Sequence, residues 1–353
     1  MNTKRPRVLV QMNRLAAYRV PVFNLLSEQV DLDVACFGTN GRIENVRFNF
    51  IQGKPYKFGP FVYNRFRADI AEYDVVITGF DARNLNSYYY AIAHSGKTIL
   101  YSLGYGKSLL AALMRRAFHK RTAATLTYTQ ATAQQLIKTG VPAEKVFFTG
   151  NTVQVGHAPE RPRRSFLNVG TPKPRKKVED VLMAMAMARD KLPRHVRLVL
   201  VGKDVEKAYG ATAVRHGVAD LVEFHDEVRD ENKLAGYFAE AIAFVSGHVG
   251  LSAPQALGHS VPVVARADLE QGPEFECVID GFTGRTYRSD DELAQILLDL
   301  ATQPDKAAEL GRAGLALYNR SLSADAMCRR MVEAVEYVVS QDRVNLQTGI
   351  ARK

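Results

Sequence analysis

The sequence predicts an α/β protein of two tandem, doubly wound, Rossmann-like domains that face each other across a cleft. Short apolar runs alternate with longer segments of helical period up to about residue 150. A stretch rich in proline and arginine follows, and the same alternation then restarts. A βαβ rhythm written twice, with a break between, is the pattern of two parallel sheets covered on both faces.

In the first half, residues 8–11, 32–37, 75–78 and 98–101 read as strands, with a helix at 20–29 after the first of them. Residues 126–129 read as another strand. A helix at 131–138 follows, ended by Gly140 and Pro142, and a strand at 146–148 closes the domain, set at 1–155. The linker, 156–165, contains GHAPERPRR, with two prolines, four charges and little that packs. The second domain, 166–320, has strands at 166–169, 196–201, 222–224, 242–245 and 261–264. A long amphipathic helix at 321–340 is expected to cross back to the first domain, and the polar tail 341–353 to fray. Open α/β sheets bind ligands beyond the carboxyl ends of their strands, which places ligand chemistry in the cleft.

With 353 residues, 46% of them hydrophobic, the chain can bury two cores. No run approaches ~20 apolar residues and the start lacks an apolar h-region, so neither a membrane span nor export is expected. Three dispersed cysteines, Cys36, Cys277 and Cys328, give neither a disulfide framework nor a CxxC site, and a cytoplasmic location fits. The net charge of +10 points to anionic partners: nucleotide diphosphates, acidic lipid surfaces or nucleic acid.

The strongest local signal is 244–284, FVSGHVGLSAPQALGHSVPVVARADLEQGPEFECVIDGFTG. A strand runs into a small-residue loop (246–251), and a helix opens at Ser252 with Pro254 in its first turn. Free N–H groups at such a start, reached through Gly247 and Gly250, suit a phosphate. An ordinary strand-loop-helix connection looks the same in isolation.

This passage resembles the donor-binding region of family 4 glycosyltransferases of the GT-B fold, above all bacterial members with a VGLS-type loop. The resemblance takes in Asn168-Val169-Gly170, Leu200-Val201-Gly202 and Val222-Glu223-Phe224 upstream, and Asp280-Gly281-Phe282-Thr283-Gly284 downstream. It implies a metal-independent transferase with no cofactor beyond its nucleotide-sugar donor. The acceptor is a saccharide or a lipid-linked sugar, the transfer is retaining, and the setting is surface polysaccharide or glycoconjugate synthesis. The family's phosphate-binding Arg and Arg-Lys pair correspond to the run from Gly170 and Thr171 to Arg175 and Lys176; fixed cations there would stabilise the charge that builds on a departing diphosphate. Gly247, His248, Val249, Gly250, Leu251 and Ser252 would lie on phosphate or sugar. Gln255, Glu274 and Glu276 would hold hydroxyls, and the base would lie against Phe224 and Val228. The chain departs from the family at Thr171, where an Arg is usual, and at Gly247 and Gln255, where paired glutamates are usual.

The first domain resembles the same superfamily more faintly, through 18–23 and 140–151, and would bind the acceptor. Asn13, Arg14 and Arg19 are candidates for facing the cleft; Arg19 as a surface charge is the competing reading. The run 101–108, YSLGYGKS, imitates a P-loop, but Tyr101 replaces its first glycine. Gly104 and Tyr105 are better read as a cleft loop, Tyr105 standing where relatives carry a His. Asp81, after the strand at 75–78, is the reserve base for an inverting variant, against its reading as a turn residue. Two segments mix basic and apolar or aromatic residues, 54–67 and 108–121, and suit either an apolar stripe packed on the sheet with its charges in solvent or peripheral contact with an anionic membrane face. The alternative functions are a sugar-nucleotide epimerase, a nucleotide-sugar-binding pseudo-enzyme, and a basic nucleic-acid-binding protein, for which no recognition motif appears.

Overall fold

The computed structural model describes residues 5–102 and 109–348. The chain divides into two compact units: Met1–Asn151 with Ala324–Lys353, and Thr152–Ser323.

The first unit runs β1 (Arg7–Gln11), β2 (Arg14–Ala16), α1 (Val20–Gln29), β3 (Asp31–Cys36), β4 (Gly38–Asn40), β5 (Asn49–Gln52), β6 (Lys54–Phe58), β7 (Phe61–Arg65) and β8 (Val75–Gly79). It continues with α2 (Leu85–Ala93), β9 (Thr98–Ser102), α3 (Leu109–Arg121), β10 (Ala124–Thr127), α4 (Gln130–Lys138) and β11 (Val146–Phe148). Its main sheet is seven-stranded and parallel, in the order β11-β10-β9-β8-β1-β3-β5. Winding goes one way from β1 to β3 and the other way from β8 to β9, so it reverses between β1 and β8. Along β1 the period of two divides the core: Val8 and Val10 join Phe23, Leu26, Met331 and Val335, while Leu9 joins Val76 and Tyr90 on the opposite face.

The second unit runs β12 (Ser165–Val169), α5 (Val178–Ala188), β13 (Arg197–Val201), α6 (Val205–Arg215), β14 (Val222–His225), α7 (Glu231–Ala239) and β15 (Ala241–Ser246). Then come α8 (Ser252–Gly258), β16 (Val263–Arg266), β17 (Gly284–Tyr287), α9 (Asp290–Thr302) and α10 (Pro304–Leu317). Its parallel sheet has the order β14-β13-β12-β15-β16-β17, and here the winding reverses between β12 and β15. Phe166, Leu198, Leu200 and Val245 face one cluster with Val181, Met185 and Leu297; Leu167, Val199, Val201 and Phe244 face the other with Phe238, Ala253 and Leu257. Both units are therefore Rossmann-like α/β sheets with helices on two faces.

α11 (Ala324–Thr348) packs on the first unit, where Met327, Met331, Ala334, Val335 and Val338 complete its core beside α1. It extends eight residues past the helix end expected at 340, so residues 341–348 are helical rather than frayed. The expected linker is also corrected. Arg161 and Arg164 pair with Glu240 at 2.7 and 2.9 Å, Arg164 reaches Glu223 at 2.8 Å, and Arg163 donates to the carbonyls of Ala241 and Ser260. The arginines that looked unpackable fasten this stretch to the second unit. Pro262 has no N–H for the ladder, which moves the strand expected at 261–264 to Val263–Arg266. Among the described residues no helix is long and apolar enough to cross a membrane, and the three cysteines are buried and free.

β6 and β7 form an antiparallel hairpin outside the main sheet, turning at Gly59 (φ +58°) and Pro60. Directly opposed residues share a face. One face thus carries Lys54 with Arg65, then Tyr56 with Tyr63, then Phe58 with Phe61 at the tip. All six are exposed, Phe58 the most among its aromatics at 59%.

Candidate functional site

In the second unit the switch point between β12 and β15 is built by two touching loops. β12 ends at Gly170, which takes φ +107°, a conformation costly to any residue with a Cβ. A Cβ there would also meet Lys176 Nζ at 2.8 Å. From Gly170 the chain passes Thr171, which is exposed, and makes a single turn at Pro174–Lys176 before α5 starts. On the other side Gly247 leaves β15, its N–H donating to the Lys176 carbonyl at 2.7 Å, and a Cβ on Gly247 would stand 2.5 Å from Lys177 Cβ. Glycine is therefore favoured at 170 by its backbone angle and at 247 by close approach. Asn168, buried, ties the two strands by donating to the Val245 carbonyl at 2.7 Å.

Lys176 folds back so that its Nζ donates to the Val169 carbonyl at 2.6 Å. Burial, then the neighbouring Lys173 and Arg175, push its pKa down to about 8. No carboxylate among the described residues pairs with it. Arg175 itself is exposed, and its charge helps to lower the pKa of His248 in the second loop, where burial is the first cause. The two segments named from the sequence, 170–176 and 247–252, thus touch, with Lys173, Arg175 and Lys176 as the charges of the first.

Gln271 holds the second loop. Its Nε2 donates to the carbonyls of Gly247 and Arg266, both at 2.7 Å, and its Oε1 accepts from the Val249 N–H at 3.1 Å. Glu274 stands beside this loop, one carboxylate oxygen 2.9 Å from where a Gly272 Cβ would be, with His248 Cε1 at 3.8 Å from the same point. Glu276 is exposed. The helix starts at Ser252, as expected, with Pro254 in its first turn. Leu251 is the capping residue, no side chain caps the helix, and α8 has only seven residues, so Ser252 is not an N-cap and the helix dipole adds little. The available donors are backbone N–H groups of the Gly250–Ser252 bend.

Gln255 is buried, and its Nε2 donates to Glu231 Oε2 at 2.9 Å. Burial, opposed by this hydrogen bond, raises the Glu231 pKa. Sequence reasoning missed Glu231, which lies 24 positions away on α7 and has no motif around it. Gln271 was visible only as part of a resembling segment, because its role depends on three backbone contacts. Phe224 packs against the core of the second unit rather than offering a stacking face, and Val228 packs on the opposite cluster.

In the first unit Asp81 is exposed and builds a turn, its Oδ1 accepting from the Arg83 N–H at 2.9 Å, which is the turn-residue role weighed above. Asn13 keeps a buried Oδ1 without a partner among the described residues. Arg14 is exposed and engaged with Asn40 and the Thr39 carbonyl. Arg19 is not a surface charge: it is 6% exposed and hydrogen-bonded to Tyr128, Asn151 and Met327. Burial opposes its charge while the hydroxyls of Tyr128, Tyr101 and Tyr18 favour it, with the pKa raised on balance. Gly104 and Tyr105 lie outside the described residues. Among the described residues there is no group of three or more His, Cys, Asp or Glu side chains placed to hold a metal.

Residues 163–303 match the family described as Glycosyl transferases group 1, a segment that contains both loops, Gln255 and Gln271. Similar solved structures include a sucrose-phosphate synthase from Thermosynechococcus elongatus (15% identity, 96% of this chain and 100% of that one, TM-score 0.65). Anabaena HepE in complex with UDP and glucose is another (14%, 94% and 99%, TM-score 0.61). A third is a putative UDP-N-acetylglucosamine 2-epimerase from Listeria monocytogenes (14%, 96% and 97%, TM-score 0.66). No curated protein matches the chain. At these identities the likeness establishes the fold, which transferases and an epimerase share, and the segment that matches the glycosyltransferase family is residues 163–303. The fold is that of the GT-B proteins.

Proposed function

We propose that the chain moves a sugar from a nucleotide-diphosphate donor to a saccharide or lipid-linked acceptor, in the manner of the retaining family 4 transferases and in surface glycoconjugate synthesis. The observation that carries the donor assignment is Lys176: a half-buried cation without a carboxylate partner among the described residues, at the switch point of the second unit, its own carbonyl bonded to the Gly247 N–H where the second loop begins. HepE, of the same fold, has been seen with UDP and glucose.

Under this reading Lys176 and Arg175 neutralise the charge that builds on the diphosphate as the glycosidic bond breaks, and the Gly250–Ser252 bend holds phosphate or sugar oxygens. Gln255 and Glu231 hold ribose hydroxyls, and Glu274 holds those of the donor sugar. The departing phosphate oxygen takes the acceptor's proton, so no protein base is needed, in keeping with Asp81 being used in a turn. Positioning and fixed charge are the protein's contribution.

Membrane contact through the β6–β7 hairpin belongs to the same proposal. Its exposed face grades from cations through tyrosines to phenylalanines at the tip, the order in which headgroups give way to acyl chains.

A thermal-shift panel of UDP, GDP, ADP, CMP and their sugar conjugates tests the donor reading, since a ligand that binds only the native state raises Tm. One nucleotide is expected to shift wild type and not Lys176→Ala. With that donor, sugar appearing on an acceptor supports transfer; an epimerised donor would mark an epimerase, and an unaltered one a binding protein.

A further inference from the structure

Arg19 opens α1 in the first unit, and its guanidinium is buried without an opposite charge among the described residues. Nη2 donates to the Tyr128 hydroxyl at 2.7 Å and to Asn151 Oδ1 at 2.6 Å, and Nη1 to Met327 Sδ at 3.0 Å. The rings of Tyr18 and Tyr128 lie 5.2 and 5.1 Å from the guanidinium carbon. The Tyr18 side chain is a further hydrogen-bond partner, and all of these partners are neutral. An arginine cannot shed its proton to escape burial, so the charge stays, and a buried charge is costly until an anion meets it.

A cavity of about 210 Å³ is lined by Arg19 together with Gln11, Thr78, Tyr101 and Tyr128. Gln11 is fully buried. Its Oε1 accepts from Thr78 Oγ1 at 2.8 Å and from Asn84 Nδ2 at 3.4 Å, while its Nε2 has no partner among the described residues. The amide orientation is fixed by Asn84, whose own oxygen caps α2 by accepting from the Asn86 N–H and whose nitrogen must therefore face an oxygen. An unused amide donor and an uncompensated cation thus line one cavity. Gln11 and Thr78 are at the carboxyl ends of β1 and β8, the adjacent strands between which the winding reverses, where open α/β sheets place their ligands.

We infer that this cavity binds the carboxylate or phosphate group of an acidic acceptor, with Arg19 and the Gln11 amide as its donors. That the acid belongs to the acceptor rests on the transferase reading; that the cavity takes an acid does not. The volume is below the ~300 Å³ of clefts that enclose a whole drug-sized ligand, so one acidic residue or headgroup fits and the remainder of the acceptor lies outside.

The test is calorimetric titration of the full chain with glucuronate and with farnesyl phosphate, using glucose and farnesol as uncharged controls. Wild type is expected to bind one of the acids at least tenfold more tightly than its control, and which acid binds separates a uronic-acid acceptor from a lipid phosphate. Arg19→Met and Gln11→Leu are each expected to weaken that binding tenfold or more, Arg19→Lys to restore part of it, and Lys176→Ala to leave it unchanged. Folding is checked by far-UV circular dichroism and a cooperative thermal melt, which Arg19→Met and Gln11→Leu should retain; if Arg19→Met does not fold, Gln11→Leu decides. Equal affinity for acid and control, undiminished acid binding in a folded Arg19→Met or Gln11→Leu, or acid binding lost only in Lys176→Ala would overturn the inference. Loss of the transferase reading would appear separately, as wild type that binds no nucleotide while still binding the acid.

Discussion

Gln255 on α8 donates a hydrogen bond to the carboxylate of Glu231 on α7, 2.9 Å away, so the position that is neutral in sequence has a carboxylate beside it in space. Gln255→Leu strips Glu231 of this partner and is expected to cost about 1 kcal/mol, the usual net value of such a bond, and to weaken nucleotide binding roughly tenfold. Gln255→Glu sets two carboxylates against each other, and one must hold a proton. A carboxyl pKa raised in the folded state contributes stability that is present at low pH and lost as pH rises through it. Burial already raises the Glu231 pKa, so the double-carboxylate variant is expected to melt closer to wild type at pH 5 than at pH 8.

Lys176 has its pKa pushed down to about 8, chiefly by burial. Between that value and the ~10.4 of an unfolded lysine the unfolded chain binds more protons, so this group makes stability rise with pH over that window and costs stability below it. Lys176→Met is therefore expected to stabilise the unliganded protein at pH 7, on the order of 1 kcal/mol or roughly 2–4 °C in Tm for a domain of this size. The same variant should lose donor binding. In wild type, a bound diphosphate should draw a proton onto Lys176 near pH 8, read as a dependence of the calorimetric enthalpy on the buffer's ionisation heat. Affinity should fall from pH 7 to pH 9.

Gln271 fixes the second loop through three backbone contacts, and Gly247 lets that loop lie against Lys177. Gln271→Ala frees the loop without removing a charge, so turnover with the identified donor is expected to fall more than Tm does. Gly247→Ala must push Lys177 and the Lys176 carbonyl away, since a Cβ would be 2.5 Å from the former and 3.1 Å from the latter. Steady-state kinetics should show KM for the donor raised at least several-fold in Gly247→Ala.

The two sheets are legible in the sequence because their strands are covered on both faces and so read as bare apolar runs. β13 (RLVLV) and β15 (AIAFVS) carry their polar residues only at an end, and β12 (SFLNV) admits Asn168 inside because its amide is used to tie the two strands. The β6–β7 hairpin is not legible in the same way, since KPYKF and FVYNR owe their pairing to the Gly59–Pro60 turn rather than to burial. The cationic loop can be found from its residue types and its place after a strand. Glu231 and the burial of Arg19 cannot, because both depend on side chains brought together from 24 or more positions away. The arginines of 156–164 mislead for a related reason: their carboxylate partners, Glu223 and Glu240, lie elsewhere in the second unit.

The hairpin makes a separate prediction. Phe58 and Phe61 are opposed at its tip and exposed, with the Tyr56–Tyr63 pair behind them and the Lys54–Arg65 pair at its base. Burying apolar surface in a bilayer is worth roughly 25 cal/mol per Å², and each cation near an anionic surface adds about 1 kcal/mol. Flotation with vesicles containing phosphatidylglycerol should carry wild type upward at low salt and less of it at high salt, because the electrostatic part is screened. Phe58→Asp with Phe61→Asp should abolish flotation, and Lys54→Glu with Arg65→Glu should remove its salt sensitivity. Neither pair packs in the core of either unit, so nucleotide binding should be unchanged in both variants. Wild type that stays at the bottom of the gradient with anionic vesicles at low salt would remove membrane contact from the proposed function and leave donor chemistry untouched.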